Sequence, residues 1–193
     1  NFFDISVIAS IGSAVALAVF ALVGYAAMRL RTETGSNPVI LVAAIVATLM
    51  PRLRGFMTGA RRKVGHWSDD AESLEFTGSL RLETLAGLGT SCPDHFLRTK
   101  IAPLTLDPAR LADDAYLDEM ISDYRDHYAA YYARCKRPNS PAMRDANPVV
   151  VLVPGVGRIT FAGDKTTARL AGEFYGNAIN VMREANALDQ YVG

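Results

Sequence analysis

From Ile5 to Met28 the chain runs 24 residues without a charge, rich in Val, Ala, Leu and Ile. As a helix that stretch is about 36 Å long, enough to cross a bilayer core of roughly 30 Å. Asp4 precedes it and Arg29 and Arg31 follow it, so the charge rule puts the C-terminal side in the cytoplasm. The expectation is therefore a cytoplasmic protein anchored to the inner face of the cytoplasmic membrane through Ile5 to Met28. A signal peptide fits less well, because the basic residues stand on the wrong flank and the apolar part is too long. The other structure that the many Ala, Gly and Ser residues suit is a wholly buried helix in a large assembly. The chain opens on Asn1 rather than Met, which suggests a piece of a longer protein.

A Gly35-Ser-Asn-Pro38 break leads into a second apolar run, Val39 to Met50, which Pro51 is expected to stop. Twelve residues are too few to span, and a return crossing would strand Arg52, Arg54, Arg61, Arg62 and Lys63 on the outside. A core or interfacial helix is expected instead. The basic group after it suits a solvated surface or, if the first helix inserts, anionic lipid. Two units follow: a hydrophobic helical segment over 1–51 and an α/β domain over 52–193. Twenty basic and twenty acidic residues cancel, which leaves no charge argument for a nucleic-acid partner. Two cysteines 43 positions apart make no disulfide framework, and a reducing compartment is expected.

The densest chemistry lies between Leu85 and Lys100. Leu85 to Leu88 suits a strand that delivers Gly89 and a polar loop, the place where open α/β sheets keep their sites. The loop holds Cys92, Asp94, His95, Arg98 and Lys100. His95, Arg98 and Lys100 form a candidate anion site, with Arg98 as bidentate donor and Lys100 as compact charge; Cys92 and Asp94 are candidate loop residues. The plainer alternative makes Asp94 a turn cap or the partner of Arg98, His95 a core histidine and Lys100 a solvated charge. Cys92-x-x-His95 has metal-ligand spacing, but His66, His127 and Cys135 would have to converge on it from separate segments. No metal is expected.

Around this stretch the sequence predicts a helix capped by Asp69 with Glu72 and a strand over Ile101–Leu106. A long helix then starts at Asp107-Pro108 and runs to Arg137. Its apolar stripe is Leu117, Met120, Ile121, Tyr124, Tyr128, Tyr131 and Cys135. Acids near its start and bases near its end suit the helix dipole. After a Pro-containing polar loop, Val149–Val153 reads as a buried strand. Pro154-Gly155-Val156-Gly157 reads as a tight turn rather than a phosphate loop, since no third glycine or Gly-Lys-Thr follows. Arg158–Phe161 returns as a strand, and Asp164 caps a last helix.

Five motifs together carry a family resemblance. Gly89-Thr-Ser-Cys-Pro-Asp-His-Phe-Leu-Arg-Thr-Lys100 comes first, then Tyr131-Tyr132-Ala-Arg-Cys-Lys136. Val151-Leu-Val-Pro-Gly-Val-Gly157 follows, with Gly163-Asp-Lys165 and Glu173-Phe-Tyr175 behind it. The region from about Leu49 to Gly193 resembles the middle of bifunctional rhamnulose-1-phosphate aldolase/short-chain dehydrogenase proteins. In that family one unit splits rhamnulose 1-phosphate into dihydroxyacetone phosphate and lactaldehyde, and another oxidises the aldehyde with NAD. The same region resembles a degenerate class II aldolase/adducin layer, in which a strand ending in His-x-His-Pro and a later His-Gly supply zinc ligands. Here those positions read Thr90-Ser91-Cys92-Pro93 and Pro154-Gly155. Tyr132-x-x-x-Lys136 has the dehydrogenase spacing, but no nucleotide-binding unit precedes it.

The resemblance implies an α/β, layered aldolase/adducin-like domain behind the hydrophobic extension, with no cofactor of its own. NAD and zinc are implied only for flanking units. The implied partners are flanking aldolase and dehydrogenase units or other subunits, with a sugar phosphate as ligand. The alternative function is a non-catalytic, membrane-associated accessory or interaction protein that keeps the aldolase-like shape.

Overall fold

The computed structural model describes residues 37–188 except 60, 91 and 144, together with the isolated positions Val19, Leu22, Val23, Ala26 and Ala27. Apart from those five positions, the apolar stretch Ile5 to Met28 lies outside the described residues.

The first element is α1, Pro38–Met57, whose N-terminus is capped by the Asn37 side chain accepting from the Val39 N–H at 2.9 Å. Pro51 does not stop it, and the expected boundary at residue 51 falls inside this helix. A proline in a helix interior costs about 3 kcal/mol. Here Ile45, Leu49, Leu53 and Met57 are all fully buried on both sides of it, so burial of one continuous stripe outweighs the lost hydrogen bond. Among the described helices α1 alone is long and apolar enough to cross a bilayer, and 33% of its most apolar window is buried in the domain. It contributes Ile45, Leu49, Leu53 and Met57 to the core, while Val39 and Ile40 are exposed at its start, and it is longer than the sequence suggested for a core or interfacial helix.

Then follow β1 (Val64–Ser68), α2 (Ala71–Thr77), α3 (Leu82–Leu88), α4 (Pro93–Thr99), β2 (Leu104–Thr105) and a 3-10 turn at Pro108–Arg110. The remainder is α5 (Asp114–Cys135), β3 (Val150–Val153), β4 (Gly157–Ala162) and α6 (Lys165–Leu188). The sheet order is β1-β4-β3-β2. β4 is antiparallel to both β1 and β3, and β2 joins β3 in parallel at the edge.

Alternation along the central strands builds two cores. Val151, Val153, Ile159 and Phe161 face α1 and α5, together with Leu117 and Ile121. Val150 and Leu152 face the other way, onto Phe76, Leu82, Leu85, Tyr175, Ile179 and Met182 of α2, α3 and α6. The sheet is thus covered on both sides, and every residue of β3 is buried, as the run of β-branched and apolar residues predicts.

Four local expectations are corrected. Leu85–Leu88 is the end of helix α3, not a strand; Leu85 and Ala86 are buried and Leu88 is exposed, a one-sided pattern that suits a helix on a sheet. The strand expected over Ile101–Leu106 shrinks to Leu104–Thr105. Asp107 caps only the 3-10 turn, and α5 starts afresh where the Asp113 side chain accepts the Tyr116 N–H at 3.0 Å. The cap of α2 is Asp70, which accepts the Ser73 N–H at 2.9 Å, and not Asp69. Asp164 does cap α6, accepting from the Thr167 N–H at 2.8 Å.

Candidate functional site

The segment singled out by its chemistry is the short helix α4 with its two flanks. Gly89, with φ 81°, ends α3 so tightly that a Cβ there would lie 2.7 Å from the Ile101 carbonyl oxygen. Cys92 occupies the N-cap position of α4 without a side-chain cap bond, and Asp94 is exposed in the first turn. His95 meets the ring of Phe174 on α6 edge-on, with centroids 5.6 Å apart, and its Nδ1 is buried without a hydrogen-bond partner. Arg98 places its guanidinium 5.9 Å from the centroid of the same ring. His95 and Arg98 therefore share one aromatic neighbour.

Lys100 does not join them. It ends α4 with φ 65°, a left-handed conformation that costs a non-glycine residue roughly 1–2 kcal/mol. Its Nζ donates to the carbonyl oxygens of Asp145 and Asn147, both at 2.6 Å, and lies 3.8 Å from the centroid of Tyr128. Burial pulls its pKa down to about 8, with the Asp145 carboxylate opposing the shift. Asn147 is itself a hub. Its Nδ2 donates to the Met57 carbonyl at 3.0 Å, and its Oδ1 accepts from Arg125 Nε at 2.7 Å. Arg125 also donates to the Phe56 carbonyl at 2.6 Å, and Lys63 pairs with Asp145. Lys100 thus fastens the 145–147 loop, the end of α1 and α5 to one another. Asp145, Asn147 and Arg125 had no periodic or motif signal; the one local hint was the Asx-rich Asp145-Ala-Asn-Pro148 run.

A groove of about 600 Å³ opens along the free edge of β2. Its floor is Ile101–Thr105, one wall is Glu83, Ala86 and Gly87 of α3, and the other is the α5 face that includes Tyr124, Tyr128 and Tyr131. The Tyr124 hydroxyl donates to the Ala102 carbonyl at 2.8 Å. At the rim stand Asp123, His127 and Arg134, all exposed. None of Cys92, Asp94, His95, Arg98 and Lys100 lines it.

Comparison with known families identifies where this sequence belongs. The family described as aldolase class II, second domain, matches residues 44–193. The chain belongs to that family. An uncharacterized oxidoreductase, YuxG, of Bacillus subtilis (strain 168) is 31% identical over 155 residues, covering 77% of this chain. The chain spans 22% of the length of that relative. No solved structure matches.

Class II aldolases imply zinc, and the donors among the described residues do not fit it. Among the described residues no group of three or more His, Cys, Asp or Glu side chains converges. Cys92 sits at the helix cap and His95 turns its edge to Phe174, while His66 lies on β1 and His127 lies exposed on α5. No catalytic step is derived through a metal.

What the second domain does contain between β4, α2 and α6 is a buried polar anchor. Arg158 is 8% exposed; its guanidinium pairs with Asp70 at 2.9 Å and donates to Ser73 Oγ at 2.6 Å. Gly176 makes the room, since a Cβ there would stand 3.0 Å from Arg158 Nη1. Burial tends to raise the Asp70 carboxyl, but hydrogen bonds from Ser73 and the charge of Arg158 outweigh it and hold the pKa below the ordinary value. A carboxyl depressed in the folded state contributes stability above its unfolded pKa, and that contribution disappears as pH falls through the folded one. Stability should therefore drop on acidification below about pH 4. Asp70→Asn should flatten the drop in urea midpoint between pH 5 and 3, and an unchanged slope would remove Asp70 from the account.

Proposed function

We propose that this chain is the central, metal-free unit of a bifunctional sugar-phosphate aldolase and aldehyde dehydrogenase. In that protein, flanking units cleave rhamnulose 1-phosphate with zinc and oxidise the lactaldehyde with NAD. The carrying observation is the second-domain match over residues 44–193, joined to an oxidoreductase-named relative of which the chain covers only 22%. The absence of a converging donor group among the described residues supports a supporting rather than a reacting role. Within it, α4 presents His95 and Arg98 side by side against Phe174, and these two are the positions where the unit would meet an anionic group of the substrate or of a neighbouring unit. Lys100, whose ammonium is spent on two carbonyls, holds the loop behind them.

The test is an aldol-cleavage assay of the 193-residue chain on rhamnulose 1-phosphate, with zinc supplied, read as dihydroxyacetone phosphate released. No release above the blank is expected. Turnover that disappears in His95→Ala would replace this function with that of a complete aldolase.

A further inference from the structure

The groove beside β2 has a direction and two charged ends. The Tyr116 hydroxyl accepts the Asp107 N–H at 2.8 Å, the Tyr124 hydroxyl donates to the Ala102 carbonyl at 2.8 Å, and the Lys100 ammonium lies 3.8 Å from the Tyr128 centroid. α5 therefore runs antiparallel to the segment that carries β2, so Asp123 lies toward the Thr105 end of the groove and Arg134 toward the Ile101 end. About 16 Å along the helix axis separates these two charges, and neither has an ion-pair partner among the described residues. The tyrosine wall between them is already fixed, because Lys100 packs on Tyr128 and the Arg134 guanidinium lies 5.8 Å from the Tyr131 centroid. β2 is the edge of the sheet. Leu106 donates its N–H to the Leu152 carbonyl of β3 at 2.9 Å, and strand alternation turns the N–H and carbonyl of Thr105 to the open side. On the opposite wall Gly87 has no atom within 4 Å of where a Cβ would stand, which leaves the groove its width.

We propose that this groove takes a short extended peptide with free ends and a neutral, apolar body, laid along the edge of β2. Its terminal carboxylate meets Arg134, and its terminal ammonium meets Asp123 beside the Thr105 edge. That polarity makes it antiparallel to β2, in the mode by which a strand is added to a sheet edge. About five residues at roughly 3.3 Å each cover the distance between the two charges, and 600 Å³ is a volume of the size that holds such a ligand. The body is neutral because the walls carry the carboxylates of Asp123 and Glu83 against the single guanidinium of Arg134. It is apolar because Ala86, Ile101, Ala102, Pro103 and the tyrosine rings line the middle. The inference draws only on the groove and does not rest on the proposed function.

The test is a titration of the 193-residue chain with the pentapeptide Ala-Val-Ala-Val-Ala, both ends free, followed by calorimetry and by the amide resonance of Thr105. Saturable binding is expected, with the Thr105 resonance moving in step. Amidating the carboxyl end of the peptide should weaken binding about tenfold. Arg134→Gln should do the same, and the two changes together should do no more than either alone, because they remove one contact. Acetylating the amino end and Asp123→Asn form a second such pair. Both substitutions fall on exposed helix positions, and circular dichroism checks that each variant keeps the fold. Gly87→Leu puts a side chain into open space on an exposed turn of α3, and should keep the fold while abolishing binding. No saturation at millimolar peptide, or a Thr105 resonance that does not move, would overturn the proposal. So would an affinity that amidation and Arg134→Gln leave unchanged.

Discussion

Replacing Gly157 with Ala should destabilise the domain by at least about 3 kcal/mol, the largest effect expected of a methyl added to any described glycine. Gly157 begins β4 with φ 110°, where L side chains are strained, and the Cβ would stand 2.3 Å from the Ser68 carbonyl oxygen and 3.3 Å from Asp69 Cα. Both neighbours are backbone, so relief requires moving the end of β1, whose Ser68 pairs with Arg158. The same shift would disturb Asp70 and the Arg158 anchor. Gly155, with φ 74°, precedes it in the turn closed by the Val156 N–H donating to the Val153 carbonyl at 3.0 Å. Ala there should cost about 1–2 kcal/mol for its conformation. Trp67 is the single tryptophan, and its Nε1 donates to the Val156 carbonyl at 2.9 Å. Its fluorescence in a urea titration reports the region directly. A Gly157→Ala midpoint equal to that of the wild type would show that the strand end is not held as described.

The second large effect is expected at Lys100. Lys100→Met keeps the aliphatic stem but removes the ammonium from the Asp145 and Asn147 carbonyls and from the Tyr128 face, and should cost about 2–4 kcal/mol. Arg should rescue little, because a planar fork does not replace a compact ammonium between two carbonyls and a ring. Lys100→Gly removes the ammonium and the left-handed strain together. It should be less destabilising than Met by about 1 kcal/mol. Equilibrium unfolding ranks the three. If Lys100→Met unfolds at the wild-type midpoint, Lys100 is a solvated charge, and its place among the anion-binding candidates is open again.

The layered α/β arrangement was legible because its signals are periodic. Val149–Val153 has the unbroken β-branched and apolar run of a doubly covered strand, and the stripe through Leu117 and Ile121 needs no partner to be read. The errors came where tertiary burial overrides local rules. Pro51 looks like a stop, but Leu49 and Leu53 on either side of it are fully buried. Leu85–Leu88 is too short to separate a strand from a helix by period, and only its one-sided packing under β3 decides. The candidate site was half legible. Proximity in sequence grouped His95, Arg98 and Lys100, but three residues from α4 to its cap reverse direction through φ 65°, and the ammonium leaves the side on which the other two meet Phe174. The partners of Lys100 lie 45 and 47 positions away, a distance at which neither periodicity nor spacing gives any signal.

The central claim is that this second domain of the class II aldolase family supports chemistry without holding the metal for it. It is tested most directly by elemental analysis of the 193-residue chain after equilibration with zinc and gel filtration. The account predicts substoichiometric zinc that is the same in the wild type, Cys92→Ser and His95→Ala. Close to one zinc per chain in the wild type, lost in either variant, would contradict it and put a metal centre at the start of α4.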